Sequence, residues 1–167
     1  VLLGAVFVVG GCGTPSAAPT DPAGPGVARV VRTLDGDTLV VRLDGREVTV
    51  RVLGIDTPET KDPRRPVGCL GPEAAWATAS LLPPGTAVRL GRDVEGRDRF
   101  DRLLAHVRRV ADDRDLAAAL LTAGLAEPLV VEPNTARRAE LAALAATAAR
   151  AQRGIWGACD PPDGFPG

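Results

Sequence analysis

From Val27 onward, short apolar and β-branched runs are punctuated by Asp-Gly and Pro-Gly turn signals. Val27 to Leu34 is apolar and β-branched until Asp35-Gly36 supplies a turn signal, and Thr38 to Leu43 reads as a second strand. Asp44-Gly45 is the strongest short hairpin signal, and Glu47 to Gly54 follows as strand three. In that strand Val48, Val50 and Val52 share one face, and Thr49, Arg51 and Leu53 share the other. The three strands predict a meander. Pro72, with Glu73 behind it, opens a helix to about Leu82, which Pro83-Pro84-Gly85 ends. Thr86 to Leu90 and Leu103 to Val110 read as two further strands, separated by the charged connector Arg92 to Arg102. Asp115 is the expected N-cap of a helix over Leu116 to Ala123, terminated by Gly124. Asn134 or Thr135 starts a longer helix to about Arg153, with Leu141, Leu144 and Ala148 spaced for one face. Five strands, a helix after the third and two helices at the end predict a small α+β barrel. The order is compatible with an OB-type barrel, although element counting does not choose it over other α+β folds.

At 167 residues the chain is long enough for one domain plus a tail. Its formal net charge of −1 gives no global basic field, so any polyanion binding must come from a local cluster. Lys61 is the only lysine, and His106 the only histidine. Val1 to Val9 is an apolar run too short to cross a bilayer as a helix. Gly10-Gly11-Cys12 follows, and then a linker over 13–26 dense in Pro, Ala, Ser and Thr. An apolar segment, small residues and a cysteine together resemble the lipobox of a bacterial lipoprotein signal peptide. That resemblance implies lipidation of Cys12 over a signal segment 1–12. A processed secretory signal without lipid is the alternative, since no positive n-region precedes the run. Either way the mature protein is expected outside the cytoplasm, secreted or lipid-anchored, and residues 160–167 are expected to form a flexible tail.

Setting Cys12 aside leaves Cys69 and Cys159 as an even pair, and an oxidising compartment favours a bridge between them. No histidine or third cysteine lies at metal-ligand spacing, so a zinc site is not expected.

The stretch Arg51-Val52-Leu53-Gly54-Ile55-Asp56-Thr57-Pro58-Glu59 carries the candidate chemistry. It begins as a strand and stops, because Pro58 cannot donate to a ladder and pushes Thr57 out of helical space. The break holds Asp56 and Glu59 close to an arginine on the strand. One acid can hold a hard divalent cation, a second can position or deprotonate a water, and a guanidinium can fork onto phosphate oxygens. Alone, the nonapeptide is equally a strand end with a charged turn. Asp37 lies at the mouth of strand two. If the Asp44-Gly45 hairpin pairs strands two and three, Asp37 meets the far end of strand three, near Asp56. Two converging carboxylates would suit calcium, and an ordinary Asp-Gly turn is the competing reading.

The chain resembles the staphylococcal nuclease (thermonuclease) family from Val27 to about Cys159. The resemblance rests on Asp-Gly-Asp-Thr at 35–38, Arg51, Ile-Asp-Thr-Pro-Glu-Thr at 55–60 and Gly-Pro-Glu-Ala at 71–74. Further along it rests on Asp-Arg-Phe-Asp-Arg-Leu-Leu-Ala at 98–105, Gly-Leu-Ala at 124–126 and Gly-Ile-Trp at 154–156. It implies a five-stranded OB-fold β-barrel with three α-helices over 27–159. It also implies Ca²⁺ held by the carboxylates of Asp37 and Asp56 and the backbone carbonyl of Thr57. Glu59 would be the general base or the group that orients the attacking water, and Arg51 and Arg102 would grip the scissile phosphate. Arg64, Arg65 and Arg99 fall where the family approaches the nucleic-acid backbone, and a solvated charge run is the alternative. Phe100 stands where the family commonly has a tyrosine, so a ring face survives without a phenol hydroxyl. Near Leu129 to Val131 the family's base-enclosing tyrosine is missing. Asp101 replaces a glycine beside Arg102 and adds negative charge where substrate phosphate is expected. Trp76 and Trp156 are expected to serve as core and docking residues, and His106 as a strand or surface residue.

The resemblance implies an extracytoplasmic Ca²⁺-dependent endonuclease acting on DNA and RNA and leaving 3′-phosphate ends, with a monomeric state expected. One alternative is a non-catalytic OB module that binds nucleic acid or a protein. Another is a surface lipoprotein in which calcium serves stability.

Overall fold

The computed structural model describes residues 26–64 and 66–159. The signal-like segment with Cys12, the linker up to residue 25, Arg65 and the tail from residue 160 lie outside the described residues. Strands β1 (Val27–Asp35), β2 (Thr38–Leu43), β3 (Arg46–Val52), β5 (Ala87–Gly91) and β6 (Leu103–Arg109) close a barrel in the order β1-β2-β3-β6-β5. All neighbours are antiparallel except β3 and β6, which run parallel. The barrel carries helices α1 (Gly71–Leu81), α2 (Leu116–Ala123) and α3 (Arg138–Arg150), plus a single turn, α4 (Ile155–Ala158). This is the five-stranded, three-helix α+β barrel of an OB-fold.

The local chemistry explains the register. Asp44 and Gly45 both take positive φ, 50° and 77°, which closes a two-residue hairpin and pairs Leu43 with Arg46. The ladder then runs to Thr38 opposite Arg51, and the Val52 N–H donates to the Asp37 carbonyl at 2.9 Å. Asp37 therefore sits at the far end of β3. Register shifts in β1 around residues 31 and 34 bend that strand around the barrel. Inward residues Leu39, Val41, Val50, Val52, Val88 and Val107 fill the interior, while Leu116, Leu120 and Leu121 of α2 and Leu141 of α3 extend the same core.

The third strand ends earlier than its hydrophobic alternation predicts. Gly54 takes φ +83°, and a Cβ there would collide with the Leu141 side chain. The chain turns at Leu53 and restarts as β4 (Gly54–Asp56), which pairs with β7 (Glu127–Leu129), a strand the sequence pattern did not predict. The long helix also starts later than expected. Asn134 does not cap it, because its side chain binds the connector by accepting from the Glu95 N–H at 2.8 Å and donating to the Glu95 carbonyl at 3.2 Å. Asp115 does cap α2, accepting from the Ala118 N–H at 2.8 Å, and Gly124 ends that helix in the left-handed region. Trp76 is not a core residue: it projects from α1 with 72% of its surface exposed.

Cys69 and Cys159 form a disulfide with Cα atoms 6.0 Å apart. It closes 90 residues of chain and ties the segment before α1 to the end of α4. In the chain-entropy picture, a loop of that length confers roughly 4–5 kcal/mol.

Candidate active site

The β1–β2 turn, the end of β3, β4 and the loop after it meet at one rim of the barrel. Gly36 makes this possible: a Cβ there would approach Thr57 Cγ2 at 2.7 Å, so only glycine lets the two loops come together. The Thr78 hydroxyl of α1 pins the same turn by donating to the Gly36 carbonyl at 2.6 Å. Around this contact lies a cleft of about 860 Å³, lined by Asp37, Arg51, Asp56, Thr57, Glu59 and Arg102. All the catalytic and metal-binding side chains expected from the sequence share this one space.

Arg51 sits at its centre. Its Nη1 lies 3.1 Å from Asp37 Oδ2 and its Nη2 lies 2.5 Å from Asp56 Oδ1. Nη1 also donates to the carbonyls of Ile55 at 2.8 Å and Val52 at 3.1 Å. The β4 backbone thereby fixes the guanidinium, and the guanidinium brackets two carboxylates. Asp37 is buried. Its Oδ2 accepts from the Thr57 N–H at 3.0 Å and the Thr57 hydroxyl at 3.1 Å, while Oδ1 accepts from the Thr38 hydroxyl at 2.9 Å.

The electrostatics favour a cation. Burial pushes the Asp56 carboxyl above the usual carboxylate range. Arg51 opposes that shift, and the neighbouring charges of Asp37, Glu59 and Asp35 add to it. Glu127, opposite Asp56 across the β4–β7 pair, is raised by burial and by Asp56 itself. Asp35, Asp37 and Glu59 thus lie close enough to Asp56 to act on its charge, and Arg51 counters them. Among the described residues no three His, Cys, Asp or Glu side chains converge as a ready metal cluster. The Asp37–Asp56–Thr57 set is smaller, two carboxylates and a carbonyl. Oxygen ligands of this kind fit a hard cation whose remaining positions are taken by water.

Glu59 is half-buried on the loop and held by the backbone. Its Oε1 accepts from the N–H groups of Lys61 at 2.6 Å and Asp62 at 3.2 Å, and these bonds hold its carboxyl below the usual range. Arg102 stands across the cleft. Asp98 accepts from its Nε at 2.7 Å through Oδ2 and from its backbone N–H at 3.0 Å through Oδ1.

A second cavity, about 360 Å³, opens on the other side of the two arginines. Arg51 and Arg102 line both cavities, and Phe100, Leu129, Val131 and Arg99 line the second. The guanidinium carbons of Arg99 and Arg102 lie 4.7 and 5.5 Å from the Phe100 ring centroid, so the ring organises both cations. Arg64 is not brought to the cleft: its side chain is 86% exposed and is paired with Asp62. Asp101 takes φ +63°, a conformation that favours glycine, and its carboxylate contacts Arg97 at 3.1 Å rather than Arg102.

Sequence reasoning left Asp98, Asp35, Thr78 and Glu127 without roles. Asp98 stands four residues before Arg102, an acid–base spacing that signals such a pair. Asp35 accepts from the Thr60 hydroxyl at 3.0 Å and so fastens the loop after β4 to β1. Nothing local marked Thr78 or Glu127.

Comparisons with known proteins agree with this architecture. The family model described as staphylococcal nuclease homologue matches residues 49–158. The thermonuclease of Staphylococcus intermedius is 35% identical over 127 residues, covering 76% of this chain and 74% of that protein. The thermonuclease of Staphylococcus hyicus is 43% identical over 79 residues, covering 47% of this chain and 46% of that protein. Endonuclease YncB of Bacillus subtilis (strain 168) is 39% identical over 105 residues, covering 62% of this chain and 49% of its own length. The chain thus spans about half the length of the last two relatives and about three quarters of the first. The matched stretch contains every cleft residue named above except those of the β1–β2 turn, and the chain belongs to the staphylococcal nuclease homologue family.

Proposed function

We propose that this protein is an extracytoplasmic, Ca²⁺-dependent endonuclease that hydrolyses phosphodiester bonds of DNA and RNA and leaves 3′-phosphate ends. The observation that carries the reading is the placement of Arg51 and Arg102. They stand between a carboxylate-lined cleft and a mainly apolar pocket, as a phosphodiester flanked by a base requires. Asp37, Asp56 and the Thr57 carbonyl would hold the calcium, which when bound supplies a Lewis acid against the phosphate charge.

The chain's own groups account for the remaining work. Attack in line with the leaving 5′ oxygen builds negative charge on the non-bridging phosphate oxygens. Arg51 is already fixed by backbone carbonyls, and Arg102 is fixed by Asp98 through Nε. The terminal nitrogens of Arg102 remain to fork onto phosphate. Both cations are therefore oriented before substrate arrives, which is what electrostatic stabilisation of a transition state needs. Glu59, with its carboxyl held low by backbone N–H groups, is ionised at neutral pH and suits orienting the attacking water. The second cavity offers the Phe100 ring and the aliphatic surfaces of Leu129 and Val131 to a base.

Among the described residues, no helix is long and apolar enough to cross a membrane. The disulfide supports an oxidising compartment. Attachment through a lipidated Cys12 remains part of this reading. A plasmid-nicking assay with added Ca²⁺ and with chelator tests it. Nicking and then linearisation with calcium, abolished by chelator, is expected; no cleavage of DNA or RNA under either condition would defeat it.

A further inference from the structure

The outer face of the β1–β2–β3 sheet continues from the cleft as a strip of arginines that the reading above does not use. Thr38 and Thr49 line the cleft beside Arg51. The register places Thr38 opposite Arg51, Val40 opposite Thr49 and Arg42 opposite Glu47, so these pairs step away from the cleft along one face. On the neighbouring strand Arg32 pairs with Val40 and Arg29 pairs with Arg42. The side chains converge on the same face: Arg32 Nη1 lies 3.1 Å from Glu47 Oε2, and Arg42 Nη2 lies 3.4 Å from Glu47 Oε1. Two guanidiniums thus share one carboxylate, while Arg29 Nη1, on the same strand as Arg32, donates to the Gly85 carbonyl at 3.2 Å. From Arg51 to Glu47 is four residues, about 13 Å of strand, a span that a single strand covers in a few nucleotides.

We infer that Arg32 and Arg42 form an auxiliary phosphate-binding track that holds a single-stranded polynucleotide beyond the scissile bond. The inference rests on the nuclease reading for the identity of the polyanion. The strip itself rests on geometry. Arg32 and Arg42 are more than half exposed, and Glu47 is 44% exposed. Ion pairs so open to water are weak and are exchanged readily. Glu47 therefore keeps the two guanidiniums side by side without sealing them, and a phosphate replaces its carboxylate on the free edges. Guanidinium forks match phosphate oxygens in a way a lysine ammonium does not. No aromatic side chain lies among the register partners on this face, so the track reads charge and spacing and carries no base preference.

The test measures binding in chelator, where no cleavage is expected, to single-stranded DNA of about a dozen nucleotides and to a dinucleotide. The Arg32→Gln/Arg42→Gln double variant is expected to lose roughly tenfold in affinity for the long strand at physiological salt. Its slope of log affinity against log salt is expected to fall by about 1.4, at about 0.7 per phosphate contact. The ratio of long-strand to dinucleotide affinity should shrink accordingly. Glu47→Gln should tighten long-strand binding, and Arg32→Lys/Arg42→Lys should restore most of the salt slope, which a misfolded variant would not do. An unchanged slope in the glutamine double variant, or weaker binding by Glu47→Gln, overturns the track. Inorganic polyphosphate separates the two readings. Arg32- and Arg42-dependent polyphosphate binding by a protein that neither binds nor cuts DNA upholds the strip and removes the nuclease reading.

Discussion

The Asp98 carboxylate grips Arg102 twice, taking its Nε at 2.7 Å through one oxygen and its backbone N–H at 3.0 Å through the other. One residue thus sets both where Arg102 leaves the chain and which edge of its guanidinium remains for phosphate. Asp98 itself is ionised and held below the usual carboxylate range by these bonds, against the opposing effect of burial.

Asp98→Ala should therefore lower turnover by roughly tenfold while leaving Arg102 present. Arg102→Gly should cost about a hundredfold or more, the usual scale for losing a preorganised donor to a developing oxyanion. The split between kcat and KM checks the assignment. A positioning role predicts that Asp98→Ala lowers kcat chiefly, whereas a purely structural role would lower the melting temperature with kcat unchanged in the folded fraction.

The Glu59 carboxylate bonds locally, to the N–H groups of Lys61 and Asp62. Glu59→Ser should lower turnover by about a hundredfold or more if the carboxylate orients the attacking water. Its melting temperature should stay close to that of the parent, since no core contact is lost. Wild-type rates in that variant would remove Glu59 from the chemistry.

Cys69 lines the cleft and is bridged to Cys159 at the end of α4. Between Glu59 and Cys69, the Gly68 N–H returns to the Glu59 carbonyl at 2.8 Å, so the bridge anchors the far end of the loop that carries Glu59. Reduction, or the Cys69→Ser/Cys159→Ser double variant, should destabilise by about 2–5 kcal/mol. Denaturant unfolding with and without a dithiol measures this, and coincident curves would contradict it.

His106 gives a pH signature. Its two ring nitrogens are buried without hydrogen-bond partners, and burial first, then Arg137, depresses its pKa below the ordinary value. Asp115, Asp93 and Glu140 oppose that shift. Because the folded state binds the proton less well than the unfolded state, the stabilisation is complete above about pH 6.5 and is lost as pH falls through the folded value. Stability should thus decline on acidification from about pH 6.5, before most carboxylates titrate, and His106→Leu should flatten that part of the profile. Melting temperatures across this range decide it; an unflattened profile would place the effect elsewhere.

The parts of the fold that were legible in the sequence are those set by short-range chemistry. Asp44-Gly45 fixed a hairpin, the hairpin fixed the β2–β3 register, and the register delivered Asp37 to Asp56. Asp115 and Gly124 likewise bounded α2 because capping depends on a few neighbouring residues. The misses have a common cause in long-range contact. Gly54 turns out of β3 with φ +83° and pairs with Leu129, 75 residues on, while Leu141 packs where a Cβ would stand. Asn134 looked like a cap and instead binds Glu95, 39 residues away. Trp76 carries the mark of a core residue, but α1 buries Ala74 and Thr78 and turns the indole outward. At the site, the acids and arginines were legible through motif resemblance. The restraint of Arg102 by Asp98 and the neutral setting of Asp101 on Arg97 required side-chain geometry.

The central claim is that Asp37, Asp56 and Thr57 hold one Ca²⁺ beside Arg51, and that the cleft works only with it. The most direct measurement is the calcium dependence of single-stranded DNA cleavage for the parent protein and for Asp37→Asn and Asp56→Asn. The account predicts saturable activation of the parent, complete loss on chelation, and a requirement for more calcium in each variant. Cleavage that persists undiminished in chelator, or variants with the parent's calcium dependence, would contradict it.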